Sequence, residues 1–218
     1  MEILIIYIIM LIIPLLSTIV INFGLNKYKK QKNKRNLTGC EVAHEILDSK
    51  DLDRVYVVAN RSNINKYNSL RKVIKLSDEV FDENTIYGIS LGALKAIEAT
   101  MDTKKNKFFS FRDRYMDMIM LGTVASYILL IVGLAVGIYE VMTLALALMI
   151  ISFAFNSLAF FKEKEVIDKC SKVLLKDGYV DKDEFISVSK VMNAYRYIYY
   201  ADIINCTSRI VDLIIPEN

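Results

Sequence analysis

The sequence predicts a mainly α-helical membrane protein, with about three transmembrane helices and a small cytoplasmic α+β region built on a short β-sheet. Three observations lead there. Apolar runs at residues 2–25, 115–139 and 141–161 are each long enough for a span, which needs ~20 mostly apolar residues. Basic stretches flank the first two runs. Between those runs lie two segments rich in β-branched residues, set among polar connections.

The first run, "EILIIYIIMLIIPLLSTIVINFGL", is expected to be a retained transmembrane helix. A signal peptide would carry basic residues ahead of a shorter apolar core; here they follow a long one. The stretch "NKYKKQKNKR" holds six basic residues and no acidic one. Lys104, Lys105, Lys107, Arg112 and Arg114 precede the second run. The excess of Lys and Arg marks the cytoplasmic side, so the expected topology is N-terminus outside, residues 26–114 inside, a membrane hairpin over 115–161, and 162–218 inside. Gly137 to Glu140 leaves room only for a tight turn between the hairpin arms.

Within 26–114, Thr38 and Glu41 form a capping box for a short helix with Val42, Ala43, Ile46 and Leu47 on its apolar face. "DRVYVVA" and "KVIKLS" read as two strands joined by the polar connection "NRSNINKYNSLR". After the acidic "SDEVFDEN" comes a helix, "NTIYGISLGALKAIEAT", with Ile86, Ile89, Ala93 and Ile97 as an apolar stripe. Gly88, Gly92, Ala96 and Ala99 allow close packing on its other faces. Lys95 and Glu98, three apart, can pair at its surface for ~0.2–0.5 kcal/mol.

Beyond the hairpin, "EKEVIDKCSKVLLKDG" predicts a helix with Val166, Ile167, Cys170, Val173 and Leu174 on one face, stopped at Gly178. A longer helix follows over 189–215, with Val191, Met192, Tyr195, Ile198, Tyr199, Ile203, Cys206, Ile210 and Ile214 apolar. Arg196, Asp202, Arg209 and Asp212 make a lipid-exposed span costly there, so it lies along the interface or packs on the other spans.

Composition narrows the function. The chain is 54% hydrophobic yet 24% charged, and its net charge of +3 is too small to point to nucleic acid. Cys40, Cys170 and Cys206 are widely spaced and suggest neither a disulfide framework nor a zinc knuckle. His44 is the one histidine, which excludes any site needing two imidazole ligands from one chain. Few charges inside the spans argue against a monomeric transporter.

The order of these features, with "LTGCEVAHEILD", "KVIKLSDEV" and "VMNAYRYIYYA" in place, resembles the YugP-type neutral zinc metallopeptidases of bacterial membranes. The resemblance implies a zincin-like cytoplasmic region and peptide-bond hydrolysis at zinc. It places the family's HExxH motif on "LKAIE": Leu94 takes the first histidine position, Lys95 the catalytic glutamate, and Glu98 the second histidine. The third ligand position falls on Glu163, without the flanking proline and "NAS" of the family stretch. Lys66-Tyr67-Asn68 falls on an "HYDP"-like turn whose histidine, aspartate and proline are missing.

HExxH works because residues i and i+4 reach one metal while the glutamate takes a proton from metal-bound water. A catalytic zinc has three protein ligands and an open position. Leu94 has no donor atom, Lys95 cannot act as a carboxylate base, and two carboxylates suit harder ions better than zinc. The expectation is a membrane-anchored pseudopeptidase with no catalytic residue and no metal, binding a peptide, a protein or an active paralogue. The strand pair offers an edge for such a partner. The alternative is an active zinc peptidase with His44, Glu98 and Glu163 as ligands. His44, in "HEILD", is on this sequence more simply a solvated residue of a short helix.

Overall fold

The structure, a computed structural model, describes residues 2–205 except 63 and 103–106, with side chains from 12 to 203. Lys104 and Lys105, and Cys206, Arg209, Ile210, Asp212 and Ile214 of the expected C-terminal helix, lie outside the described residues.

Helix α1 runs Glu2–Lys30, past the apolar run and into the basic stretch. The chain leaving it pairs with the segment that starts the central helix. Asn33 N donates to Asn84 O at 3.0 Å and Ile86 N to Gln31 O at 2.8 Å. Asn33 also closes the connecting loop through both ends of its amide, with Leu37 as partner.

Helix α2, Gly39–Asp48, has the expected capping box: Thr38 Oγ1 accepts from Glu41 N, and Glu41 accepts from Thr38 N at 2.8 Å. Its apolar face is buried and His44 points outward. The sheet has three strands, β1 Tyr56–Asn60, β2 Lys66–Asn68 and β3 Val73–Ser77, in the order β1-β3-β2. β1 runs parallel to β3 with Tyr56 opposite Val73; β2 runs antiparallel to β3 on its other side. The third strand lies inside the segment read above as a polar connection. Its pattern is hidden because only Tyr67 of Lys66-Tyr67-Asn68 points into the core.

The acidic "SDEVFDEN" forms its own short helix, α3 Asp78–Asp82, and the chain is extended again at Glu83. Thr85 then caps α4, Ile86–Met101, by accepting from Gly88 N. α4 is buried on every side, by α2, α3, α1, α6, α7 and the sheet. That requires near-contact of backbones. A Cβ on Gly92 would sit 2.0 Å from Gly39 O, and one on Gly39 would sit 2.5 Å from Gly88 O.

Helices α5, Phe108–Val136, and α6, Tyr139–Lys176, form the hairpin, joined through Gly137 in the left-handed region at φ 77°. Both are long and apolar enough to cross a membrane. Much of their apolar surface faces out, for example Met118, Leu121 and Ile150. The sequence reading ended the hairpin at 161 and began a separate helix there. The structure joins them into one helix of 38 residues, about 57 Å long at ~1.5 Å per residue. That is nearly twice the ~30 Å hydrocarbon core, and its last half packs in the globular core through Val166, Ile167, Cys170 and Leu174. Gly178, φ 73°, ends it. α7, Lys182–Asn205, packs on α1, α4 and α6.

Candidate functional site

The three polar side chains that the family resemblance was expected to set at its motif positions come together in space. Lys95 and Glu98 stand on α4 and Glu163 on α6. Leu94, one turn before Glu98 on the same face of α4, has no polar atom and is fully buried in the apolar core. The group that organises the cluster is one the sequence reading treated only as a topology charge, Arg112 in the first turns of α5.

Arg112 forks between the two acids. Its Nη2 lies 2.5 Å from Glu98 Oε1 and its Nη1 donates to Glu163 Oε1. Nη2 and Nε also donate to Asp113 Oδ1, at 3.0 and 3.2 Å. Lys95 Nζ donates to Glu98 Oε2 at 2.9 Å. Glu98 is 0% exposed, Arg112 5%, Glu163 7% and Lys95 8%. The Lys95–Glu98 pair is therefore buried, not a surface pair as expected from spacing alone. The reason is that Gly92 and Gly39 let α2 cover α4, while α6 and α7 close its other side.

Charge and burial compete at these groups. Burial alone would lower the Lys95 pKa, but the Glu98 carboxylate outweighs it and lifts Lys95 above its usual 10.5. Burial pushes Glu98 up, but Arg112 and then Lys95 outweigh it and hold Glu98 below 4.5. A depressed carboxylate adds stability above its unfolded value and loses it as pH falls through the folded one. A raised lysine adds stability below its unfolded value and loses it as pH rises through the folded one. The melting temperature of the detergent-solubilised protein is expected to be flat between the unfolded values, 4.5 for Glu98 and 10.5 for Lys95, as far as these two groups set it. Below that window it falls, and the acid-side fall is smaller in Glu98→Gln. An acid limb identical in the variant would remove Glu98 from the account.

A second polar network braces the site. Asp102, at the end of α4, accepts from Tyr67 Oη at 2.8 Å and from Ser69 Oγ and Lys72 Nζ at 2.5 Å each. Asp113 Oδ2 accepts from Ser69 N at 2.7 Å. Lys66-Tyr67-Asn68 is thus a strand anchored by a buried tyrosine, not a turn. Burial, and then Asp102, raise the Tyr67 pKa and keep its hydroxyl protonated.

Above the cluster opens a cleft of about 840 Å³, with Lys95, Arg112 and Glu163 among its lining and walls from α1, α5, α6 and α7. His44 does not belong to it. It lies on the outer side of α2, whose inner side packs on α4. This separates it from Glu98 and Glu163 as a ligand set, and among the described residues no three His, Cys, Asp or Glu side chains converge to hold a metal.

The sequence did carry a signal for Arg112. Arg112 and Glu163 are equally far from the Gly137–Ile138 turn, which puts them at the same height on the two arms of an antiparallel helical hairpin.

A family model described as "Putative neutral zinc metallopeptidase" matches residues 3–217. A curated relative described as "Putative membrane protease YugP", from Bacillus subtilis (strain 168), is 23% identical over 176 residues, covering 80% of this chain and 78% of the relative. No solved structure gives a significant match.

Proposed function

Because the chain belongs to the neutral zinc metallopeptidase family, we propose that it is a membrane-anchored pseudopeptidase, which works by binding a protein or peptide partner. The observation that carries this reading is the position of Arg112. Its guanidinium lies between Glu98 and Glu163, the two carboxylates aligned with metal-ligand positions. A zinc ion there would have to displace a buried cation that already bridges both. The remaining donor set does not fit zinc: Leu94 offers no lone pair and Lys95 adds a second positive charge. Lys95, where the family has its general base, is held protonated by Glu98 and cannot accept a proton from water.

The membrane placement follows from charge and length. α1 and the α5–α6 hairpin cross the bilayer, with the N-terminus outside and residues 26–114 in the cytoplasm, because Lys and Arg concentrate at 26–35 and 104–114. The partner, which includes an active paralogue among its candidates, docks at the open edge of the sheet. β1 is an edge strand with Tyr56 and Val58 exposed, which suits addition of an extended strand.

Metal analysis of the purified chain tests this. Zinc is expected far below one ion per chain, with no chelator-sensitive proteolysis; stoichiometric zinc together with such proteolysis would sink the reading. The combined variant Leu94→His, Lys95→Glu, Glu98→His, Arg112→Met restores the HExxH pattern and frees Glu163. It is expected to bind about one zinc, since it supplies three ligands and an open position.

A further inference from the structure

The cleft above the ionic cluster is not only polar. α1 packs chiefly on α7 and α4, while the hairpin reaches α4 and α7 through α6, and the cleft lies between α1 and the hairpin. Its upper walls are Ile19 and Phe23 of α1, Met116 of α5, Phe160 of α6 and Ile198 of α7. Phe23 is 71% exposed and continues the outward apolar side of α1 that carries Leu16 and Val20. The cleft thus reaches the apolar belt at one end and Lys95 at the other. An ammonium has three N–H donors. Lys95 uses one, toward Glu98, among the described residues, and its side chain lines the cleft. Lys29, paired with Glu79, and Lys66 also line it, beside Glu163 and Asp202.

We propose that this cleft binds an anionic membrane phospholipid, with its phosphate at Lys95 and an acyl chain between α1 and the hairpin. The shape and the remaining donors of Lys95 support it: the volume of about 840 Å³ lies within the ~300–1,000 Å³ of small-molecule sites. Basic pockets between transmembrane helices on the cytoplasmic side are suited to anionic headgroups. A soluble peptide would leave the apolar end open to lipid, whereas an acyl chain fills it. The inference rests on the membrane placement proposed above and not on the loss of hydrolysis.

The test uses the full chain in lipid nanodiscs containing phosphatidylglycerol or phosphatidylcholine with a diazirine on one acyl chain. Photolabelled phosphatidylglycerol is expected on Ile19, Phe23, Met116 and Phe160, several-fold above phosphatidylcholine. Lys95→Met should lower the labelling about tenfold, the effect of losing a charged hydrogen bond. Ile19→Trp, which fills the apolar end and leaves the ionic cluster intact, should abolish it, so the idea stays testable if Lys95→Met does not fold. Equal labelling by both lipids, or adducts spread evenly over the outer faces of the hairpin, would overturn the proposal. Labelling displaced by an extended apolar peptide but not by excess phosphatidylglycerol would assign the cleft to a peptide instead. Extraction of the native protein from membranes by alkaline carbonate would overturn the membrane placement itself.

Discussion

Replacing Arg112 with alanine is expected to cost about 3–5 kcal/mol, the range for removing one partner of a buried charge pair. The total stability of a domain is only ~5–15 kcal/mol, so most of the margin goes with one side chain. The cost comes from what is left behind. Glu98 and Glu163 are almost wholly buried and take their opposing charge from Arg112, with Lys95 on one side only. Asp113 loses its guanidinium as well. Arg112→Lys should recover only part of the loss, because an ammonium cannot fork between two carboxylates as a planar guanidinium does. Removing the whole cluster should behave differently. Lys95→Met, Glu98→Leu, Arg112→Met, Asp113→Asn and Glu163→Leu together leave no stranded charge and are expected to come close to the parent stability. Denaturant unfolding in detergent measures all three. A single Arg112→Ala variant as stable as the parent would show that the ion cluster does not hold α4, α5 and α6 together.

Gly92→Ala is expected to lose at least about 3 kcal/mol, beyond the usual ~1–3 kcal/mol of overpacking. Helix propensity alone predicts the opposite sign, a gain of ~1 kcal/mol for Ala over Gly inside a helix. The geometry decides. The new Cβ would meet Gly39 O at 2.0 Å, Gly39 C at 2.6 Å and Gly39 Cα at 2.7 Å, all backbone atoms with no rotamer to move to. α2 would have to lift off α4. Gly122→Ala on α5 is the control. Nothing lies within 4 Å of its Cβ position, so it should be neutral or gain up to about 1 kcal/mol. Thermal unfolding compares the two, and equal effects would refute the close-contact account.

Much of this molecule is legible in its sequence because the signals are local. The α2 capping box depends on two residues three apart, and the stop at Gly178 on one left-handed residue. The hairpin turn shows in the break between apolar runs. β2 is not legible, because three residues with one inward tyrosine make no pattern until Asp102 and β3 are brought beside them. The continuous α6 was missed since its character changes from apolar to amphipathic at Lys162, while the backbone ladder does not notice the change.

The sequence by itself determined that Leu94 offers no donor atom, that Lys95 carries an ammonium and that Glu98 carries a carboxylate, because residue identity alone decides whether a donor atom exists. It also determined the apolar runs and the basic stretches beside them. Only the tertiary structure decided that Lys95 and Glu98 are buried, that Glu163 joins them, and that Arg112 stands between the carboxylates. Those facts depend on α4, α5 and α6 meeting across long stretches of chain. A buried charge is tolerable only where another element delivers its counter-charge, and no local pattern records which element that will be.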